Sequence, residues 1–352
     1  MNCAPGQRGL PVRKLSGAFA GFIFKPWKNV IIKNTDYYFM ENKNLTYAVL
    51  GTGALGGYYG GMLARGGRRV CFQVRTGFEE VKRQGLTIES CNGDFALPDA
   101  EVYAKTGDMP KADVVLVCLK TTANHLLPEM LKPILKEKTL VILVQNGLLF
   151  EEELSADLPG VPIAGASAFI CSFKVAPGHI KHCDFGHISF ALLKKSKAAC
   201  ELLEKVRDDF IACGVEASVE DDLPTLRWRK LVWNIPYNGM TVVMDTSTDK
   251  LMQDPETRKL IKDLMLETQQ GALACGVKIE NEFIEKMLTY TDSMVPYAPS
   301  MKLDYDAKRP MEVKGIYSNP LKAALLKGAD LKKIRMLEQQ LYFKQNEYLK
   351  KL

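Results

Sequence analysis

The chain has 352 residues, long enough for two domains and a sizeable core. Its 47% hydrophobic and 25% charged content is ordinary for a globular protein, and a net charge of +6 favours anionic small molecules without making a nucleic-acid footprint. Nine scattered cysteines without a CxxC pair and four histidines without an HExxH cluster argue against a disulfide framework and a metal site, and no apolar run approaches the roughly 18 residues of a membrane span.

Residues 1–44 read as a disordered N-terminal extension. Between Met1 and Met40 six basic residues stand against one acid, Asp36, and Pro5, Gly6, Gly9 and Pro11 break any periodicity. A basic, acid-poor leader also suits an organelle transit peptide, so import is the alternative to a tail or to initiation at Met40. The scattered thiols otherwise fit the reducing cytoplasm.

From Tyr47 the chain reads YAVLGTGALGGYYGG. A short apolar strand runs into Gly51-Thr52-Gly53-Ala54-Leu55-Gly56, and a helix-compatible segment follows. That order of strand, glycine turn and helix suits a dinucleotide pyrophosphate resting on free N–H groups at a helix N-terminus. The next strand, Arg69–Val74, ends at Arg75, where an NAD site usually carries a carboxylate for the ribose 2′-hydroxyl. A cation there attracts a 2′-phosphate, so the cofactor reads as NADP(H).

Apolar runs at Asp113–Cys118 and Thr139–Val144 predict buried parallel strands, with a helix over Thr122–Leu135 weakened by Pro128 and Pro133. In such sheets ligands bind beyond the carboxyl ends of the strands, which singles out Arg75, Lys120 and Asn146. Gly165–Leu193 predicts short antiparallel strands that extend the sheet, with a turn at Pro177-Gly178. The fold class is therefore α/β: a Rossmann-type doubly wound sheet over 45–220, followed by a mainly helical C-terminal domain over 221–352. Helices are expected at Leu226–Trp233, Glu256–Cys275, Glu282–Tyr290 and Asp330–Leu349.

In the first of these helices Lys230, Asn234 and Asn238 recur every four residues and share one face. Pro236 removes a helical hydrogen bond near that face and bends the segment. One ammonium and two carboxamides suit a small polyoxygenated anion, and the flanking Trp228, Leu231, Val232, Trp233 and Ile235 predict burial. Further on, Ser300 and Glu312 flank a polar stretch, Lys302–Lys308, and by themselves fit a helix cap and a surface acid equally well.

Taken together, the glycine turn, Val117-Cys-Leu-Lys120, Gln145-Asn-Gly147, Arg229-Lys-Leu-Val-Trp-Asn234 with Asn238, and Ser300 twelve residues before Glu312 resemble the 2-dehydropantoate 2-reductase (ketopantoate reductase) family from about Leu45 onward. The resemblance implies NADPH-dependent reduction of 2-dehydropantoate to (R)-pantoate, a step toward pantothenate and coenzyme A. It implies Lys230 as general acid, and Glu312 as the group that holds the substrate hydroxyl or steadies the lysine. Asn146 and Lys120 line the nicotinamide end of the cleft, and Asn234, Asn238 and Ser300 join Asn146 in binding substrate. Two positions depart from the family pattern: Asp245–Asp249 carries no Asn, and Met311 precedes Glu312. The alternatives are a reductase of another branched 2-oxo acid and a non-catalytic NADP(H)-binding protein. A homo-oligomer is compatible with these residues but not indicated by them.

Overall fold

The computed structural model describes residues 45–294, 296 and 298–349. The extension expected over residues 1–44 lies outside the described residues. Among those described, ten strands form one sheet: β1 (Thr46–Leu50), β2 (Arg69–Gln73), β3 (Leu86–Ser90), β4 (Phe95–Leu97), β5 (Glu101–Tyr103), β6 (Ala112–Val117), β7 (Leu135–Leu143), β8 (Ile163–Ala176), β9 (His179–Leu192) and β10 (Ala217–Val219). Their order is β4-β3-β9-β8-β7-β6-β1-β2-β5, with β10 beside β9. The run from β5 through β2, β1, β6 and β7 to β8 is parallel.

Alternation along β1 gives the sheet two buried faces. Tyr47 and Val49 pack with Tyr59, Leu63, Phe190 and Phe210 on one side, where α1 (Ala54–Arg65) lies. Ala48 and Leu50 pack with Val115, Val117, Leu131 and Phe150 on the other. The remaining elements of this half are α2 (Phe78–Gln84), α3 (Leu127–Leu131), α4 (Phe150–Asp157) and α5 (Lys197–Ala212).

Two local expectations need correction. The helix expected over Thr122–Leu135 is a 3₁₀ stretch at Thr121–Leu126, the short α3 and a second 3₁₀ turn at Lys132–Ile134. Pro128 and Pro133 each remove an N–H, so no long ladder forms, and Leu135 already belongs to β7. The strands expected to be short over Gly165–Leu193 form one long antiparallel hairpin, β8 and β9, of 14 residues each. Register shifts at three places along it break the alternation that would have announced its length.

The C-terminal half is mainly helical: α6 (Leu223–Val243), α7 (Thr248–Gln253), α8 (Pro255–Ala274), α9 (Asn281–Ser293), α10 (Ser300–Asp306), α11 (Asn319–Leu326) and α12 (Lys332–Leu349). Asp222 caps α6, its carboxylate accepting from Thr225 N–H at 2.8 Å. Pro236 sits inside this helix without ending it. Around α6 lies a core containing Trp228, Leu231, Val232, Ile235, Tyr237, Leu264, Met265, Tyr317 and Leu337.

One buried side chain ties α6 to the sheet. Arg227 donates to the carbonyls of Gln145 (2.6 Å), Ala166 (2.9 Å) and Leu143 (3.0 Å), and its guanidinium also pairs with Glu151 on α4. Gly165 leaves room for this pair, since a Cβ there would stand 2.7 Å from both partners. The register of α6 is thus fixed against the carboxyl end of β7 and the amino-terminal part of β8, at Ala166.

Candidate active site

The glycine turn follows β1 directly. Gly51 has φ +90, and a Cβ on it would lie 2.9 Å from the Leu119 nitrogen. A Cβ on Gly56 would lie 2.3 Å from the Gly51 carbonyl oxygen, so the third glycine lets α1 approach the strand. Beside Gly53 a Cβ would meet nothing within 4 Å. No side chain caps α1, so the N–H groups of its first turn have no side-chain acceptor. Thr52 is turned inward, its hydroxyl donating to the Gln73 carbonyl at 2.9 Å. A turn of this shape suits a pyrophosphate. Arg75 stands exposed two residues beyond β2, on the strand next to β1.

Ala54 and Leu55 also line a cavity of about 170 Å³. Its other walls carry Lys120, Asn146, Lys230, Asn234, Asn238, Ser300 and Glu312. The residues singled out from the C-terminal half thus meet those at the ends of β6 and β7. Gly51, Thr52, Gly53, Gly56 and Arg75 stand outside this lining and build only the turn and the strand end next to it.

Local backbone geometry explains the meeting. Asn146 precedes Gly147, whose φ of +114 turns the chain. A Cβ on Gly147 would lie 2.7 Å from the backbone of Gly315, and one on Gly315 would lie 2.5 Å from the Phe150 ring. Two glycines therefore let the turn after β7 touch the π-helical turn Lys314–Ser318 that follows Glu312. The Leu148 N–H donates to the Gly315 carbonyl at 3.0 Å, and the Asn319 amide donates to the Leu148 carbonyl at 2.6 Å.

On α6 the predicted stripe faces this junction. Asn234 is 3% exposed and donates to the Asn146 side-chain oxygen at 3.2 Å. The Asn238 oxygen accepts from the Met301 N–H at 3.1 Å and so holds the first turn of α10. Ser300 is the first residue of that helix; the capping position is Pro299, and the polar stretch Lys302–Lys308 is helical as far as Asp306.

Glu312 is almost fully buried and accepts from the Thr121 N–H and hydroxyl, both at 2.9 Å. Lys120 places its ammonium between Asp304 (2.8 Å) and Glu312 (3.4 Å). Burial opposes that charge, but Glu312 and Asp304 outweigh it, so the Lys120 pKa is raised. Glu312 therefore steadies Lys120. Among the described residues it makes no hydrogen bond or ion pair with Lys230.

Lys230 has a different setting. Its ammonium lies 4.7 Å from the Phe169 ring centroid and 5.8 Å from that of Trp233. Burial pushes its pKa down from 10.5 to about 8. A proton held near neutrality beside a polar pocket is suited to donation.

Sequence reasoning missed several lining residues: Phe169, Ile170 and Phe185 of the hairpin, Gln145, and Met294 after α9. The hairpin residues look like ordinary core positions, and Met294 carries no local signal. Gln145 had a signal, since it precedes Asn146 in the Gln-Asn-Gly turn.

Comparison with known proteins agrees with this geometry. Residues 47–195 match the ketopantoate reductase PanE/ApbA family, and residues 222–345 match its C-terminal counterpart. A 2-dehydropantoate 2-reductase of Nostoc sp. is 46% identical over 300 residues, covering 84% of this chain and 94% of that protein. Among solved structures, 2-dehydropantoate 2-reductase from Geobacter metallireducens is 36% identical with TM-score 0.82, covering 85% of this chain and 99% of that one. The enzyme of that name from Methylococcus capsulatus is 27% identical with TM-score 0.77, over 85% and 96%. D-mandelate dehydrogenase, at 18% identity and TM-score 0.79, shares the fold. The architecture is the Rossmann-like one of NAD(P)H-dependent oxidoreductases. The chain belongs to the ketopantoate reductase family.

Proposed function

We propose that the protein reduces 2-dehydropantoate to (R)-pantoate with NADPH, in pantothenate biosynthesis. The observation that carries the reading is one pocket that joins Lys230 to a linked pair of amides and to the first turn of α1. Residues 45–220 form the cofactor domain and 221–352 the substrate and catalytic domain.

NADPH, when bound, supplies the hydride to the 2-oxo carbon. As the carbonyl oxygen gains negative charge, the Lys230 ammonium stabilises it and donates a proton to it. Asn234 and Asn146 present a linked pair of amides to the same space, and Asn238 of α6 and Ser300 of α10 bound it. These groups orient the carboxylate and hydroxyl of the substrate. Glu312 accepts a substrate hydroxyl while Lys120 and Thr121 hold its carboxylate in place. The first-turn N–H groups of α1 hold the pyrophosphate, and Arg75 meets the 2′-phosphate.

Two measurements check this reading. The product from NADPH and 2-dehydropantoate co-elutes with (R)-pantoate on a chiral column; the opposite enantiomer, or no product, contradicts it. Arg75→Ala weakens NADPH by about 10-fold to 100-fold, as for loss of a charge-assisted bond, and leaves NADH unchanged. Equal losses for both cofactors remove Arg75 from the 2′-phosphate.

A further inference from the structure

The lysines around the pocket are held in two ways. Lys120 lies between Asp304 and Glu312, and Lys302 between Asp245 and Asp306. Among the described residues Lys230 has neither an ion pair nor a hydrogen bond; its neighbours are ring faces.

The nearer ring is itself clamped. Phe169 meets Phe185 edge-on at 5.2 Å, stacks on His187 at 5.3 Å with the planes 17° apart, and meets Tyr290 of α9 edge-on at 5.1 Å. Phe169 pairs with His187 and Ile170 with Phe185, which leaves Gly186 as a bulge at φ +127. The two rings that flank the bulge both reach Phe169. Phe185 adopts φ +62, and its N–H is held by the Asp184 carboxylate at 2.9 Å.

We propose that Phe169 is a positioning residue for the proton donor, its clamped ring face holding the Lys230 ammonium against the pocket wall. The inference rests on the role given to Lys230 above. A carboxylate would hold the ammonium as well, but it would also offer a base to which the proton could pass. A ring face attracts the cation and offers no such acceptor. It also favours the charged form of lysine, and so limits the fall in pKa that burial causes.

Among the described residues the titratable or charged groups around Lys230 include Arg227 and Arg229 on α6, His187 on β9 with Glu216 beside it, Tyr290 on α9 with Asp184 beside it, Cys171 on β8, and Lys120 and Glu312 in the pocket lining. His187 is held below its ordinary value, chiefly by burial. Cys171 is pushed up to about 12 and Tyr290 is raised, both chiefly by burial. A titration near pH 8 is therefore assigned to Lys230.

The test replaces Phe169 by 4-fluoro-, 3,5-difluoro- and 3,4,5-trifluorophenylalanine, which keep the ring's shape while weakening its negative face. The Lys230 titration is read from the ¹³Cε signal of labelled lysine, assigned by its loss in Lys230→Arg. In parallel, the basic limb of the pH profile of kcat/KM is followed. The midpoint is expected to fall with each fluorine, by about 0.5–1 pH unit for the trifluoro ring. A midpoint that stays constant across the series overturns the proposal. Phe169→Leu is expected to lower kcat about 3-fold to 10-fold with KM little changed, in line with loss of a cation–ring contact. Should that variant fail to fold, the fluorinated series still decides. The carbon titration needs no substrate, so absent turnover with a stepwise midpoint sinks the proposed reaction alone, and turnover with a flat midpoint sinks this inference alone.

Discussion

Lys230→Ala binds NADPH as the parent does and loses about 10²–10⁴-fold in kcat, the usual contribution of a positioned general acid. The ammonium contacts the Phe169 and Trp233 rings and makes no hydrogen bond with the glycine turn among the described residues, so its removal leaves the cofactor cradle intact. The same group sets the pH dependence. The acid form is needed for reduction, and burial places its pKa at about 8. Reduction is therefore full below pH 8 and falls as pH rises through it, whereas an ordinary lysine would hold the rate to above pH 10. The reverse reaction needs the neutral amine and gains over the same interval. Fluorescence titration of NADPH and a pH series of kcat check both points; unchanged turnover removes Lys230 from its role.

Glu151→Ala destabilises the chain by about 3–5 kcal/mol, the cost of leaving a buried charge without its partner. Arg227 and Glu151 are 4% and 1% exposed, so solvent cannot replace the lost carboxylate. Three carbonyls remain around the guanidinium and offset part of the loss. Glu151→Gln keeps an acceptor without the charge, and its loss is the smaller of the two. The urea midpoint checks this at equal m-value; an unchanged midpoint in Glu151→Ala would mean that the pair does not anchor α6. Function follows stability here. The Gln145 carbonyl that Arg227 holds is next to Asn146, so a loosened guanidinium also loosens the amide that lines the pocket.

The parts of the site that lie close together in the chain were legible in it. A glycine turn announces itself because three backbone constraints fall within six residues, and the contacts at Gly51 and Gly56 are of the kind that spacing implies. Lys230, Asn234 and Asn238 were legible as a stripe because a helix keeps residues four apart on one face. The long-range pairings were not. Lys120 and Asp304 stand 184 positions apart, and nothing in either stretch names the other. Lys120 read as a residue at the nicotinamide end of the cleft, and its pairing with two carboxylates was not legible. Glu312 read as the holder of a substrate hydroxyl or as a partner of Lys230, and its contacts with Thr121 and Lys120 had no signal in the sequence.

The aromatic wall was hidden for another reason. Phe169 and Phe185 sit in a hairpin whose register shifts interrupt strict alternation, so pattern alone could not tell which face each ring takes. The same shifts disguised the hairpin's length. Gly147 and Gly315 are each unremarkable in sequence, and their backbone contact is what brings Asn146 toward Glu312.

The two departures from the family pattern, at Asp245–Asp249 and Met311, stand away from the pocket that holds Lys230. Met311 is buried, with its N–H donating to Gln345 at 2.7 Å, and it lines a second cavity behind Glu312 rather than the pocket that holds Lys230. Asp245 follows the end of α6 and pairs with Lys302. Neither lines the proposed substrate pocket.

The most direct test is a panel of 2-oxo acids assayed with NADPH by loss of nicotinamide absorbance. 2-Dehydropantoate is expected to have the highest kcat/KM, above 2-oxoisovalerate and pyruvate, because only it offers both a carboxylate to the amide stripe and a hydroxyl to Glu312. A higher kcat/KM for either of the other two would contradict the proposed reaction.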